Sequence, residues 1–224
     1  MGFAIINLPR VYPRRPDYQK SKRMIDLILC IVLSPLIIPA VILCALAVYL
    51  DSGKPIVFMQ ERIGKGGKSF RIYKFRTLKA NFDGSQFQPF MRAYIRGDIG
   101  NDTIDNGTYK PMSEKYISRV GNFLRRTSLD ELPQLINVLK GEMSIVGPRP
   151  NVPWEVEEYW PWHYERLEVL PGMTGLAQVN GRSCISFNSI VRFDINYIEN
   201  QGLQLDLKII WQTIGSVILS RSAG

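Results

Sequence analysis

The sequence predicts a mainly helical α+β protein in which a long apolar segment precedes a small domain. Residues 24–50 carry one charge, Asp26, and are too apolar for a surface helix and long enough to cross a bilayer. Residues 55–62 and 69–78 are typical of strands and flank a glycine-rich turn, which predicts a β-hairpin. We therefore divide the chain into an N-terminal extension, a membrane segment and a compact domain, at residues 1–20, 21–50 and 51–224.

The composition narrows the class of protein. The chain has 224 residues, of which 46% are hydrophobic, and this suffices for one ordinary domain. A net charge of +8 indicates an anionic partner: nucleic acid, anionic lipid or a phosphate-rich small molecule. The three cysteines have no metal or redox spacing, which argues for a reducing compartment. With His163 as the single histidine, a catalytic metal would take carboxylate and phosphate oxygens, which favours Mg²⁺.

The apolar segment allows three interpretations: a re-entrant hairpin, a straight span or a buried core helix. Proline removes a helical hydrogen bond, so Ser34, Pro35 and Pro39 predict a bend near 34–39. Basic residues flank the segment on both sides, and such residues prefer the cytoplasmic face. The flanks therefore favour a re-entrant helix–break–helix with its break at Ser34 and Pro35.

The turn and loop of the domain are predicted from polar and glycine-rich runs. Gly64, Gly66 and Gly67 either form a plain turn or cradle a phosphate. No helix follows them, as it does in phosphate loops, so the plain turn is favoured. Residues 80–113 are predicted to be a long loop with one short helix near 88–96.

Helical segments make up most of the remaining domain. Residues 155–170 are amphipathic and rich in Trp and Tyr, which suits either a membrane interface or a core-facing aromatic stripe. The final helix either packs on the core or lies on the membrane. The other predicted helices cover residues 129–140, ending at Gly141, then 186–200 and 205–219.

Acidic and basic side chains with candidate chemical roles are concentrated in residues 125–150, RRTSLDELPQLINVLKGEMSIVGPRP. Asp130 and Glu131 lie at a predicted helix start. Ser128 and Glu131 fit a capping box, which is one role for the acidic pair. The same position lowers the pKa of a carboxylate and keeps it ionised as a nucleophile, and two neighbouring carboxylates can hold Mg²⁺. Both interpretations remain open from the residues alone.

Arg149 is placed between Pro148 and Pro150, on a stiff and extended backbone. A pre-ordered guanidinium suits bidentate binding of phosphate. The alternative is an ordinary surface loop.

Several long motifs occur in one order between about residue 20 and residue 218. They are SKRMIDL, Ser34-Pro35, FMQERIGKGGKSFRIYKFRTL, the stretch 125–150, LPGMTGLAQVNGR and RFDINYIENQGLQLDLKIIWQTI. In this series the chain resembles the bacterial sugar transferases, which are monotopic phosphoglycosyl transferases acting on undecaprenyl phosphate. It departs from the compact family pattern in about twenty residues before Ser21 and in the loop 80–115, which bears on specificity rather than on reaction type.

The resemblance implies an enzyme of the bacterial inner membrane whose active site faces the cytoplasm. It implies a UDP-sugar donor, a polyprenol phosphate acceptor, contact with membrane phospholipid, and Mg²⁺. It implies a dyad in which Asp130 is the nucleophile, and both Asp130 and Glu131 are candidate metal ligands. The Pro148-Arg149-Pro150 motif is associated with nucleotide binding. Candidates to share the phosphate charge are Lys74 and Arg76 of the KFR motif, Arg126 and Arg149.

In this family Asp130 would attack the sugar-linked phosphorus and release UMP, and the polyprenol phosphate would then take the phosphosugar from the enzyme. Such a reaction is the first membrane step of surface glycan or glycoconjugate synthesis. Glu131 is either a metal ligand or a weak proton acceptor. A nucleic-acid binder would leave the apolar segment unexplained, and a membrane adaptor would leave SLDELPQL and GPRP unexplained. The sugar, and whether copies of the chain associate, stay open.

Overall fold

The computed structural model describes residues 15–79, 82, 84–99, 116–181 and 185–218. The extension up to residue 14 and most of the loop 80–115 lie outside the described residues, as do the glycines and acids of that loop from residue 100 onward.

A single helix, α1, spans Pro16–Ser52 and extends beyond the predicted segment 21–50 at both ends. Proline is well placed in its first turn, where no intrahelical donor is needed. Within the described residues, α1 is the one helix long and apolar enough to cross a membrane. Most of its apolar side chains face outward, among them Val32, Leu36 and Leu43. The mainly helical class and the long apolar helix are thus confirmed.

Helical geometry continues where we predicted an interruption. Pro35 has no N–H to donate to the carbonyl oxygen of Ile31, the usual acceptor four residues earlier. The Ser34 hydroxyl donates to that same oxygen at 2.7 Å and replaces the missing bond. Pro35 and Pro39 both lie inside the helix. The re-entrant path remains a prediction.

Polar side chains dock the N-terminal part of α1 on the domain. Arg23 donates to the Leu139 carbonyl at 2.8 Å, and Lys22 pairs with Asp206 at 2.9 Å. The buried carboxylate of Asp26 accepts from the backbone N–H of Ile145 at 3.1 Å. Several basic residues that flank the apolar segment are therefore engaged with the protein itself.

The predicted hairpin is confirmed. Strand β1 (Val57–Ile63) pairs antiparallel with β2 (Ser69–Phe75), with Val57 opposite Phe75 and Ile63 opposite Ser69. The connecting turn contains a 3-10 helix, Lys65–Gly67, in which Gly66 and Gly67 have φ of 65° and 76°. This left-handed backbone favours glycine, so the glycines serve the plain turn that the sequence predicted.

Three of the remaining helices lie where the sequence predicted them, whereas those at Arg119–Arg126 and Leu176–Val179 were not predicted. The short helix expected near 88–96 is α2 (Gln88–Arg96), and the two C-terminal helices are α7 (Phe187–Asn200) and α8 (Leu203–Ile218). The segment 129–140 begins as a 3-10 helix and continues as α4, whereas 155–170 divides into two short helices. The bounds are α2 (Gln88–Arg96), α3 (Arg119–Arg126), 3-10 helix Leu129–Gln134, α4 (Leu135–Lys140), α5 (Pro153–Val156), 3-10 helix Pro161–Glu168, α6 (Leu176–Val179), α7 (Phe187–Asn200) and α8 (Leu203–Ile218).

A second, parallel strand pair was not predicted. Strand β3 (Ser144–Val146) pairs with β4 (Gly172–Thr174), and Ser144 lies opposite Gly172. A Cβ at Gly172 would lie 2.1 Å from the backbone nitrogen of Gly147, so these two backbone segments can approach closely only because residue 172 is glycine. Pairs this short carry no periodicity signal.

The aromatic side chains around residue 160 divide between the core and the exposed surface, the two positions that the sequence allowed. Tyr159 and His163 are buried and pack edge-on against each other beside Phe187 of α7. Trp160 and Tyr164 are exposed. The final helix also has two faces, because Ile209 is buried in the core whereas Trp211 is 77% exposed.

Candidate active site

The acidic pair lies on the 3-10 helix Leu129–Gln134, directly after α3. Ser128 precedes it with φ of 56°, a left-handed conformation that is uncommon outside glycine. Its side chain makes no capping hydrogen bond, so the predicted capping box is wrong. The left-handed residue redirects the chain between the two helices, and its carbonyl oxygen, rather than its hydroxyl, accepts from the Glu131 N–H at 3.2 Å.

Two other segments converge on the carboxylate of Glu131. Its Oε1 accepts from Lys74 Nζ of β2 at 2.9 Å, and from both terminal nitrogens of Arg149 at 3.1 and 3.0 Å. Burial opposes the ionised form of Glu131, but the Arg149 and Lys74 charges outweigh it and hold the pKa well below its usual range. Glu131 is therefore ionised, and its Oε1 accepts all three of these hydrogen bonds.

Lys74 is held in a buried position, with 16% of its side chain exposed. Burial lowers the pKa of its ammonium group to about 8, with a contribution from the Arg149 charge and opposition from Glu131. The KFR lysine is thus a poorly solvated cation whose partner is the second acid of the dyad.

Asp130 differs from its neighbour. Among the described residues its carboxylate has no hydrogen bond and no ion pair. Burial and the adjacent Glu131 charge raise its pKa, against the opposing effect of Lys74, Arg149 and Arg125. The prediction that a helix start lowers this pKa is therefore wrong, because burial and the Glu131 charge outweigh the nearby cations. The pKa values of these two adjacent carboxylates are therefore shifted in opposite directions.

The Pro148-Arg149-Pro150 loop is held through its backbone carbonyl oxygens. That of Pro148 accepts from the Gly172 N–H at 2.9 Å, and that of Pro150 accepts from Arg62 at 3.1 Å. Both prolines are buried, whereas the Arg149 side chain is 43% exposed. The loop therefore presents one guanidinium from a fixed backbone.

A buried ion pair behind this loop was missed by the sequence analysis. Arg166 and Asp194 pair at 2.6 Å, with 2% of each side chain exposed. Arg166 also donates to the Arg149 carbonyl at 3.0 Å and to the Tyr159 hydroxyl at 2.9 Å. Asp194 falls on the apolar stripe of α7 between Val191 and Ile195. An acid on an apolar stripe is the signal that could have indicated it.

Two predicted phosphate ligands lie elsewhere. The Arg76 guanidinium donates to the carbonyls of Ser52, of Gly53 at 3.1 Å and of Lys54 at 2.9 Å, and so anchors the end of α1. Arg126 is exposed at the end of α3 and has no polar contact within the described part of the chain. Neither residue joins the network around Glu131. Arg125, half-buried and close enough to Asp130 for its charge to be felt there, is nearer the dyad.

The dyad has the oxygen donors that Mg²⁺ prefers. Asp130 offers both carboxylate oxygens, and Glu131 retains Oε2, which has no polar partner in the described residues. No group of three or more potential ligands of the His, Cys, Asp and Glu type occurs in the described residues. The residues therefore fit a Mg²⁺ ion held by one or two carboxylates, with substrate phosphate oxygens and water completing its coordination.

Comparison with known proteins gives a consistent family. The family model of the bacterial sugar transferases matches residues 17–220. The exopolysaccharide production protein ExoY of Rhizobium meliloti is 37% identical over 211 residues, which are 93% of this chain and 90% of ExoY. The UDP-galactose-lipid carrier transferase of Erwinia amylovora is 38% identical over 197 residues, 88% of this chain and 40% of that protein.

The UDP-glucose:undecaprenyl-phosphate glucose-1-phosphate transferase of Escherichia coli is 37% identical over 210 residues, 90% of this chain and 41% of its own length. The chain thus spans about two fifths of the Erwinia and Escherichia relatives and nearly all of ExoY. The family predicted from the motifs is confirmed: the chain belongs to the bacterial sugar transferases.

Proposed function

We propose that the protein transfers a phosphosugar from a UDP-sugar to a polyprenol phosphate and releases UMP. One observation carries the proposal. Among the described residues the Asp130 carboxylate has no polar partner, and it lies directly beside Glu131, whose Oε1 is engaged by Lys74 and Arg149. The names of relatives that act on UDP-glucose and undecaprenyl phosphate support the two substrates.

In the first step, a carboxylate oxygen of Asp130 attacks the sugar-linked phosphorus. The bond between that phosphorus and the bridging oxygen breaks, and UMP leaves with the bond electrons. The product is an aspartyl phosphosugar on the enzyme. An unpartnered carboxylate suits this role, because no hydrogen bond has to break before it attacks.

In the second step, an oxygen of the polyprenol phosphate attacks the same phosphorus. The bond to Asp130 breaks, which regenerates the carboxylate and gives a polyprenol diphosphosugar. The attacking phosphate is already anionic, so the step needs no strong base. Since the pKa of Glu131 is held low, Glu131 suits a metal ligand and charge organiser better than a proton acceptor.

Charge stabilisation in both steps falls to cations already present. Lys74 and Arg149 converge on Glu131 and can extend hydrogen bonds to the phosphate oxygens of a donor bound beside it. Asp130 and Glu131 would hold Mg²⁺, which would supply positive charge to offset the phosphate charge.

The contacts of α1 support the proposed re-entrant topology, and the basic residues on both sides of the apolar segment favour the cytoplasmic face for the domain. Cys30, in the first half of α1, belongs to a core cluster with Ile72 of β2. Val48, near the other end, belongs to a cluster with Phe75 of the same strand. A helix of 37 residues is roughly 55 Å long, against a hydrocarbon core of about 30 Å. A straight span would separate its two ends, whereas here one strand packs beside both halves.

Asp130→Asn tests the mechanism, because the amide keeps the side-chain size but cannot form the acyl phosphate. The wild-type protein, incubated with UDP-sugar but without acceptor, should gain the mass of a phosphosugar on the peptide that holds Asp130. The variant should gain none, and its turnover should fall about a thousandfold or more while it stays folded.

Asp98→Asn, at an exposed acid outside the site, is the matched control and should keep full turnover. A folded Asp130→Asn protein with near wild-type UMP release would contradict the proposed mechanism.

A further inference from the structure

The outer edge of β2 is completed by a side chain instead of a strand. In the described residues β2 pairs only with β1, so its other edge has no strand partner. The carboxamide of Asn137, from α4, takes this place. Its Oδ1 accepts from the Tyr73 N–H at 3.3 Å, and its Nδ2 donates to the Arg71 carbonyl at 2.7 Å. A primary amide can imitate a peptide unit in this way.

The same residue closes the end of α4. Its Nδ2 also donates to Glu142 Oε2 at 2.7 Å, and its own carbonyl oxygen accepts from the Glu142 N–H at 3.0 Å and the Met143 N–H at 3.2 Å. Asn137 is fully buried, with 0% exposure. Every polar atom of its side chain is therefore used, and each bond leads either to β2 or to the turn after α4.

These bonds connect the two segments that carry the site. Lys74 follows Tyr73 on β2, whereas Asp130 and Glu131 lie on the 3-10 helix that continues into α4. Ile72, on the same face of β2 as Lys74, packs in one core cluster with Val138 of α4. The amide thus holds the backbone of the lysine strand against the backbone of the dyad segment.

We infer that Asn137 is a positioning residue that sets the separation of Lys74 from the dyad. By fixing the two backbones, it keeps the Lys74–Glu131 bond at 2.9 Å and leaves Asp130 without a polar partner in the described part of the chain. This inference rests on the proposed function. A shift of about 1 Å at a reacting group can cost roughly 100-fold in rate, so the effect of losing the amide falls on the chemical step.

Asn137→Asp removes the donor to Arg71 and places a second carboxylate against Glu142, but it keeps the acceptor for Tyr73. We expect kcat to fall about 100-fold while KM for the UDP-sugar changes by less than about threefold. Adding Glu142→Gln supplies a donor to the new carboxylate and should restore about tenfold in kcat, roughly the value of one hydrogen bond. Folding is checked by circular dichroism and thermal unfolding in detergent.

Lys140→Gln is the matched control. Lys140 lies on the same helix and donates to the Tyr73 hydroxyl at 2.9 Å, but from the surface, and its loss should leave kcat unchanged. A folded Asn137→Asp protein with wild-type kcat overturns the inference, and so does a loss of activity that appears in KM instead of kcat. If that variant does not fold, the double variant decides, and wild-type kcat there overturns it equally. Absence of UMP release by the wild-type protein would instead overturn the proposed function.

Discussion

The buried ammonium group of Lys74 predicts an alkaline limit to activity. Its pKa of about 8, against 10.5 for an ordinary lysine, means that the proton leaves well within the accessible pH range. Deprotonation removes a cation from Glu131 and from the place where donor phosphate would bind. Activity should therefore fall as pH rises above 8.

The magnitude follows from the same pKa values. One pKa unit is worth about 1.4 kcal/mol, so the fold disfavours the charged form of Lys74 by about 3 kcal/mol. Between pH 8 and 10.5 the folded protein has released this proton and the unfolded chain retains it. The contribution of Lys74 to stability therefore rises with pH over that range. Stability and activity should move in opposite directions there.

The assay is UMP release by purified protein in detergent, from pH 6.5 to 10. The expected kcat/KM falls about tenfold per pH unit above 8, and thus roughly 30-fold by pH 9.5. Lys74→Arg carries a guanidinium that stays charged, so it should have a lower plateau but no decline below pH 10. A flat wild-type profile up to pH 9.5, or the same decline in Lys74→Arg, would refute the assignment to Lys74.

Two further predictions concern topology and stability. Cysteines introduced singly at Lys20 and Lys54 should react with an impermeant reagent from the same side of the membrane, since both flanks of α1 lie beside one domain; reaction from opposite sides would establish a span. Asp194→Asn leaves a buried guanidinium without its counter-charge and should cost about 3–5 kcal/mol, lowering Tm by at least about 6 °C. Arg96→Ala removes a guanidinium that is 54% exposed and leaves Glu158 paired with Arg92, so it should cost less than about 1 kcal/mol. Equal Tm values for these two variants would contradict the structural role of the Arg166–Asp194 pair.

Features set by local pattern were predictable from the sequence. The hairpin follows from two strand-like runs around glycines, and α7 and α8 follow from helical periodicity. The order of the motifs identified the family, and the roles of the dyad and of the Pro148-Arg149-Pro150 motif were predicted from that resemblance. None of these required knowledge of distant contacts.

Features that depend on tertiary contacts were missed or misassigned. The predicted capping box was wrong because Ser128 adopts a left-handed backbone conformation, which no residue pattern in the sequence indicates. Arg76 was a candidate to share the phosphate charge, and the structure places its guanidinium against the end of α1, a contact that the motif does not indicate. The Arg166–Asp194 pair joins residues from two helices, and burial of both charges becomes evident only when those helices pack.

The bond from the Ser34 hydroxyl to the Ile31 carbonyl matters to a different degree in water and in lipid. In water, a carbonyl that loses its donor to proline is hydrated at little cost. In hydrocarbon no water is present, and an unsatisfied backbone carbonyl costs several kcal/mol. On the proposed placement of α1 in the membrane, Ser34 and Pro35 therefore act as one unit. The serine makes the proline tolerable there, and its contribution would escape any measurement made on a water-exposed peptide.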